Sequence, residues 1–268
     1  MKKNLIALMI AAGVTVSASG VAHAYNSSFS GDSISLGGTV TTPVESVYEG
    51  KVASLTGLDA TIQVGLSSTT ITAPAHAGLL ALRSIDGGFD NSATNKIANI
   101  TFNGQKLSQA ASEDRFTNGK IEMTLEARDS SSNTRIGDVV FPIQAAGVSV
   151  IVNKNTNDAI GESLFAYDAS TAFFGGLPEK SNVAIQTYAE ARSAIDNLFS
   201  DVTDYLPVAT SEGRTASSKS FTADGMLFNA AYAVGIAAGD NIVLNLDSPA
   251  QAGSVAWTAS IPVVVTYK

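Results

Sequence analysis

Short runs of alternating apolar and polar residues dominate the sequence, and this alternation limits the possible folds more than any other feature. The runs are residues 60–64, 120–127, 136–143, 147–152, 240–246 and 260–267. Clusters of Gly, Asn, Asp and Ser separate them, which is typical of strands joined by turns. Because side chains alternate between the two faces of a strand, the series predicts an all-β fold, either an antiparallel sandwich or a barrel.

One segment has a helical period instead. Its apolar residues recur at spacings of three and four: Tyr188, Ala191, Ile195, Leu198 and Val202. Charged residues occupy the rest of the helical wheel, and Pro207 follows the segment. This pattern predicts an amphipathic helix over residues 188–206 that packs across an edge of the sheet.

The helix closes a loop-rich insert that we place at about residues 153–206. Its first part is polar, and its centre is aromatic around Phe165, Tyr167, Phe173 and Phe174. Loops that carry aromatic side chains form either a flap over the core or a binding surface. The sequence leaves both interpretations open.

The first 24 residues have the pattern of a secretory signal peptide. Lys2 and Lys3 precede a short apolar run, and the small residues Ala22 and Ala24 flank the position expected for cleavage. We therefore expect the mature protein to begin at Tyr25 and to be exported.

Removal of the signal peptide makes the chain more acidic. The loss of Lys2 and Lys3 leaves 14 basic residues against 24 acidic ones, so the net charge changes from −8 to about −10. A surface of this charge disfavours nucleic acid as a partner.

The sequence contains no motif that predicts catalysis. The chain has no cysteine, and His76 is the histidine that remains after residue 24. No nucleophile motif accompanies it. Residues 153–158 have part of the spacing of a calcium loop, but Asp158 and Leu164 stand where that loop needs Gly and an acidic residue. We expect no cofactor, no metal site and no enzymatic activity.

Two strand patterns lie near the ends of the sequence. Ile34, Leu36 and Val40 share one face of a predicted strand, together with Gly38. At the other end the apolar face consists of Ile261, Val263, Val265 and Tyr267. An apolar strand without a following neighbour is expected to leave an edge that pairs with another chain, and head-to-tail pairing of that kind produces fibres.

The two ends, "FFGGL" at residues 173–177, "AAYAVGIAAGDNI" at residues 230–242 and the absence of cysteine together resemble kappa-class fimbrial subunits of the chaperone/usher pathway. The resemblance covers the whole chain. It implies an incomplete immunoglobulin-like β-sandwich that lacks the seventh strand and is completed by a donor strand from a neighbouring subunit. The implied domains are the signal peptide at 1–24, a donor-strand extension at 25–42 and the pilin domain at 43–268.

The resemblance also implies roles for both ends. Ile34, Leu36, Gly38 and Val40 correspond to the donor strand. The acceptor edge, which a periplasmic chaperone first occupies, corresponds to Ile261, Val263, Val265 and Tyr267. The implied partners are neighbouring subunits, that chaperone and an outer-membrane usher, and the implied location is a fimbrium on the cell surface.

In several members of the resembled family the major subunit also binds the host receptor. In this chain the corresponding surface carries Phe165, Tyr167, Asp168, Phe173, Phe174 and Arg192, a mixture suited to the faces and hydroxyls of sugars. The implied function is therefore a fimbrial subunit that adheres to a host glycoprotein or glycolipid. The alternative is a secreted carbohydrate-binding module or a glycan-active enzyme.

Overall fold

The computed structural model describes residues 33–34, 38–40, 46–111 and 115–268. The predicted signal peptide, Leu36 and most of the predicted extension lie outside these ranges. Strands predominate in the described part of the chain, which agrees with the predicted all-β class. None of the helices described there combines the length and the apolar character needed to cross a membrane.

The described ranges contain fifteen strands, two α-helices and a 3₁₀ turn at Ser181–Val183. The strands are β1 (Ser33–Ile34), β2 (Gly38–Val40), β3 (Tyr48–Val52), β4 (Leu55–Thr56), β5 (Ser68–Thr72), β6 (Ala77–Ser84), β7 (Ala98–Phe102), β8 (Lys120–Asp129), β9 (Arg135–Asn153), β10 (Ala159–Ser163), β11 (Ser211–Glu212), β12 (Met226–Ile236), β13 (Asn241–Leu246), β14 (Trp257–Thr258) and β15 (Val263–Tyr267). The helices are α1 (Leu107–Ala110) and α2 (Tyr188–Leu198).

The 19-residue strand β9 organises the larger sheet. Its first half lies between β8 and β13, and its second half lies between β10 and β12. The sheet continues from β12 to β6 and then to β3. Two strands predicted separately at 136–143 and 147–152 are thus one strand, because residues 144–146 include no turn-forming residue.

A smaller sheet has the order β2-β15-β7. Residues from both sheets meet in the main hydrophobic core, where Val265 and Phe102 of the smaller sheet join Phe141 and Tyr232 of the larger one. All four of these residues are almost fully buried. The fold therefore packs two sheets around one principal core.

The burial pattern changes halfway along β9. Val139, Phe141 and Ile143 are buried while their neighbours are partly exposed, as in a strand with one solvated face. From Ala145 to Val150 every residue is buried. The change arises because α2 covers the outer face there and forms a second core with β9, β10, β12 and β6.

Helix α2 begins where predicted but ends eight residues early. The Thr187 hydroxyl accepts a hydrogen bond from the Glu190 backbone N–H at 3.3 Å and donates one to the Glu190 carboxylate at 2.8 Å. This capping interaction fixes the first turn. The predicted continuation to residue 206 is wrong, because "SDVTD" at 200–204 is rich in poor helix formers and the Thr203 hydroxyl bonds to the Asp196 carboxylate.

One predicted strand does not form. Residues 60–64 make no strand, and the side chain of Val64 is 68% exposed. Alternation over five residues is short enough to occur in a loop, so this prediction was wrong.

Candidate functional site

The predicted acceptor edge forms β15. Val263, Val265 and Tyr267 point into the core, whereas Val264 and Thr266 between them are exposed. Ile261 is also buried, but it precedes the strand. Strand β7 pairs with β15 along five residues in the antiparallel direction. One edge of β15 is therefore covered by a strand of the folded domain.

The other edge of β15 is covered by the predicted donor segment of the same chain. Gly38 faces Val263, Thr39 faces Val264 and Val40 faces Val265, and the two strands run parallel. Ile34 lies in β1, which pairs with Leu55 of β4. Among the described residues, the segment that precedes β3 therefore pairs at two places in its own chain.

The predicted receptor-binding residues occupy three different environments. Phe173 is fully buried, with its ring stacked on Tyr232 and edge-on to Tyr48. Phe173 therefore belongs to the core and cannot contact a ligand at the surface. Phe174 is partly exposed, and the Lys106 ammonium lies 5.4 Å from the centre of its ring. Arg192 lies on α2, where its guanidinium is 3.7 Å from the Asp196 carboxylate.

Phe165 and Tyr167 form an aromatic pair on the outside of the fold. Leu164 and Ala166, which alternate with them, are buried in the main core. This alternation turns the two rings outward, with centroids 6.3 Å apart and ring planes inclined at 43°. The Tyr167 side chain is 55% exposed. We call Phe165 and Tyr167 the aromatic platform.

Backbone hydrogen bonds hold the platform on both sides. The Phe165 N–H donates to the Ser217 carbonyl, and the Ala166 N–H donates to the Pro178 carbonyl, both at 2.9 Å. The backbone of this segment is therefore bound on both sides, although residues 165–167 form no regular strand. A backbone held in this way loses little conformational entropy when the segment binds a ligand.

Charged and polar residues lie close to the platform along the chain. Glu162, three positions before Phe165, pairs through its carboxylate with the Lys219 ammonium at 2.5 Å, and Lys219 lies two positions after Ser217, whose carbonyl accepts the Phe165 N–H. The carboxylate of Asp168 accepts hydrogen bonds from the Ser170 hydroxyl at 2.6 Å and from the Ser170 N–H at 2.8 Å. These bonds hold the pKa of Asp168 below its ordinary value, so the carboxylate is charged at neutral pH.

The sequence did not reveal that Glu162 and Lys219 form an ion pair. They are 57 positions apart, and no spacing rule connects them. Glu162 carries a weak signal, because it is the polar outward residue of the alternating strand β10. Lys219 lies outside the strands and in no recognisable motif, so the sequence gives no signal for it.

His76, the other residue considered for chemistry, lies exposed between β5 and β6. Its Nδ1 accepts a hydrogen bond from the Ala238 N–H at 3.1 Å. Within the described residues, no group of three or more His, Cys, Asp or Glu side chains is placed to hold a metal ion.

Comparison with known proteins gives a consistent result. The sequence matches the family described as "Fimbrial, major and minor subunit" over residues 1–268. It is 30% identical to K88 fimbrial protein AC and 26% identical to F41 fimbrial protein, both from Escherichia coli, and each alignment covers the whole of both chains. K88 fimbrial protein AB of the same organism is 29% identical over the same coverage. The chain therefore belongs to the family of fimbrial major and minor subunits.

Proposed function

We propose that this fimbrial subunit polymerises by donor-strand exchange and also binds a glycan on the host. In this proposal the domain is an immunoglobulin-like sandwich without its seventh strand. Residues 25–42 of one subunit complete the sheet of the next. The observation that carries the proposal is the edge of β15: among the described residues, β15 has β7 as its neighbour from the folded domain and β2 as the strand on its other edge.

The physical properties of β15 suit strand addition. An unpaired edge offers a row of backbone N–H and C=O groups to an incoming strand. Burial of Ile34, Leu36 and Val40 of a donor contributes about 1.5–3 kcal/mol for each side chain, in addition to the new ladder of hydrogen bonds. A joint of this kind holds subunits together without a covalent bond or a nucleotide.

The proposed route to the surface has two further partners. A periplasmic chaperone occupies the edge of β15 after export, and an outer-membrane usher brings the next donor strand to that edge. The relatives are fimbrial proteins by name, which supports a final location in surface fimbriae. They give no support to the alternative of a secreted carbohydrate-binding module or glycan-active enzyme.

Assembly is tested with a variant that lacks residues 25–42. We expect this variant to remain monomeric and to require the chaperone or a synthetic peptide of residues 25–42 in order to fold. Size-exclusion chromatography and circular dichroism give the two readouts. Stable folding of the truncated chain alone would disprove the proposed exchange.

We place the glycan site at the aromatic platform with Asp168. An exposed aromatic ring offers a flat apolar face to the CH groups of a sugar, and the neighbouring charged groups accept and donate hydrogen bonds to its hydroxyls. We leave Phe174 and Arg192 out of the proposed contact residues, because each already has a partner within the chain. Phe174 contacts Lys106, and Arg192 pairs with Asp196. Phe173 is left out because it is buried.

The glycan site is tested by array binding of a donor-strand-completed monomer. Replacement Tyr167→Ala should reduce binding by up to about tenfold, since one stacking contact contributes about 0.5–1.5 kcal/mol. The matched control is Tyr205→Ala, which removes another exposed tyrosine whose ring lies 4.0 Å from the Arg83 guanidinium. If the two variants lost glycan binding equally, or if neither lost it, the aromatic platform would not be the glycan site.

A further inference from the structure

The segment that precedes the domain lies on the acceptor edge of its own chain. Strand β2 pairs with Val263–Val265 of β15 through three consecutive residues, and β1 pairs with β4. With β2 in place, β15 is the central strand of the smaller sheet. In a single chain the edge intended for a neighbour is therefore already occupied.

The internal pairing is parallel, and its direction suits the position of β3. Tyr48, the first residue of β3, stacks on Tyr267 near the end of β15. Strand β2 runs toward that end, and Val40 faces Val265, two residues before Tyr267. The chain's own segment is thus constrained to lead into β3.

The same constraint does not apply to a segment from another subunit. A donor on a second chain enters from outside and can pair in either direction. Antiparallel pairing is slightly more stable per residue than parallel pairing. Among the described residues the internal contact consists of three facing pairs. An antiparallel donor from another subunit could therefore displace the internal strand.

We propose that the monomer has a closed form in which residues 38–40 cap β15 of the same chain and compete with strand donation from another subunit. The capping itself rests on the described pairing, and its effect on assembly rests on the proposed function. In the closed form one contact withholds both the donor segment and the acceptor edge. An exposed apolar edge that would promote indiscriminate association is covered at the same time.

A disulfide tests the closed form, since the natural chain has no cysteine. The mature double variant Thr39→Cys/Val264→Cys places the two thiols at directly facing positions. Neighbouring strands lie about 4.8 Å apart, which is within disulfide range. The matched control Thr39→Cys/Thr266→Cys moves one thiol two residues along the same exposed face. The Cα separation then rises to about 8 Å, which is too long for a disulfide.

We expect the first variant to form a disulfide within one chain, visible as a linked 39–264 peptide in a monomer on a non-reducing gel, and the control to form little. The locked monomer should polymerise at least tenfold more slowly than the same protein after reduction. Linkage only between chains, equal linkage in both variants, or unchanged polymerisation of the locked monomer would overturn the closed form.

A second measurement covers the case in which the cysteine variants do not fold. In the unsubstituted mature monomer, nuclear Overhauser contacts should connect the backbone of Thr39 with that of Val264. Their absence from a folded monomer would also overturn the closed form. Both monomer readouts are independent of fibre formation, so a wild-type chain that never polymerises counts against the proposed function alone.

Discussion

The ring of Tyr48 stacks on the ring of Tyr267, with centroids 5.9 Å apart and ring planes inclined at only 16°. The contact joins the first residue of β3 to the last residue of β15. The Tyr48 hydroxyl donates a hydrogen bond to the Lys96 carbonyl at 3.0 Å. Burial, with a smaller contribution from Tyr267, raises the pKa of Tyr48 well above its ordinary value, and burial also raises that of Tyr267.

These raised pKa values predict a loss of stability in alkali. Below the unfolded tyrosine pKa of about 10, both tyrosines are neutral in the folded and in the unfolded state, so their ionisation does not change the free energy of unfolding. The free energy of unfolding should therefore be unaffected by these groups up to about pH 10. It should then fall as the pH rises from there through the folded pKa values. Urea unfolding between pH 8 and pH 11.5 measures the change.

The variant Tyr48→Phe isolates one of these groups. It should lose about 1 kcal/mol at neutral pH, because the hydrogen bond to Lys96 is removed, but its stability should fall less steeply above pH 10. The control Tyr167→Phe alters an exposed tyrosine and should follow the wild-type profile. An identical alkaline slope in Tyr48→Phe and wild type would contradict the assignment.

Loss of the buried Phe173 ring should lower the free energy of unfolding far more than loss of the exposed Tyr167 ring. Phe173→Ala removes a fully buried ring that contacts Tyr48 and Tyr232, and should destabilise the protein by about 3–5 kcal/mol. Tyr167→Ala should cost less than about 1 kcal/mol in the same urea experiment. If the two losses were equal, Phe173 would not have the core role that its burial indicates.

Two glycines set how closely the chain around the end of α2 packs on the sheet. A Cβ at Gly78 would lie 2.2 Å from the Phe199 ring, and one at Gly235 would lie 2.2 Å from the Ala77 carbonyl oxygen. Gly78→Ala should therefore destabilise the protein by about 1–3 kcal/mol through overpacking.

Gly213→Ala is the control for Gly78→Ala. The nearest atom to its added Cβ is the flexible Glu162 side chain at 3.3 Å. Thermal unfolding of both variants gives the comparison, with a clear fall in Tm expected only for Gly78→Ala. A melting temperature for Gly78→Ala that matches the control would show that Phe199 can move aside freely.

Gly38 should affect assembly more than folding. Glycine within a strand often marks a close approach of another backbone, and Gly38 faces Val263. Gly38→Leu should slow fibre growth at least about tenfold and leave the chaperone-bound subunit folded. Light scattering follows growth, and Thr39→Val, next to it in the strand, serves as the control. If Gly38→Leu gave fibres of normal number and length, assembly would not require a glycine at this position.

The sequence was most informative where alternation was long. Strands β13 and β15 form within the predicted runs, and β8 covers its run and continues to Asp129, because each strand keeps one face in the core for five or more residues. The start of α2 was predictable from its apolar period. The end of α2 was not, because Val202 and Leu206 stay buried even though the chain has left the helix.

The candidate site was less predictable than the fold. Phe165, Tyr167 and Phe173 look equivalent in a short aromatic stretch, and only the tertiary arrangement turns the first two outward and the third inward. The pairing of β2 with β15 joins residues more than 220 positions apart. No local pattern in the sequence contains this pairing or its parallel direction.

The layer formed by α2 is separated from the main core by the larger sheet. The helix packs on Val148, Val150, Ala231 and Ala233, none of which belongs to the core that contains Val263 and Val265. A mutation on the buried face of α2 therefore acts first on its neighbours in the same layer. The larger sheet thus stands between changes in this outer layer and the buried residues of the smaller sheet.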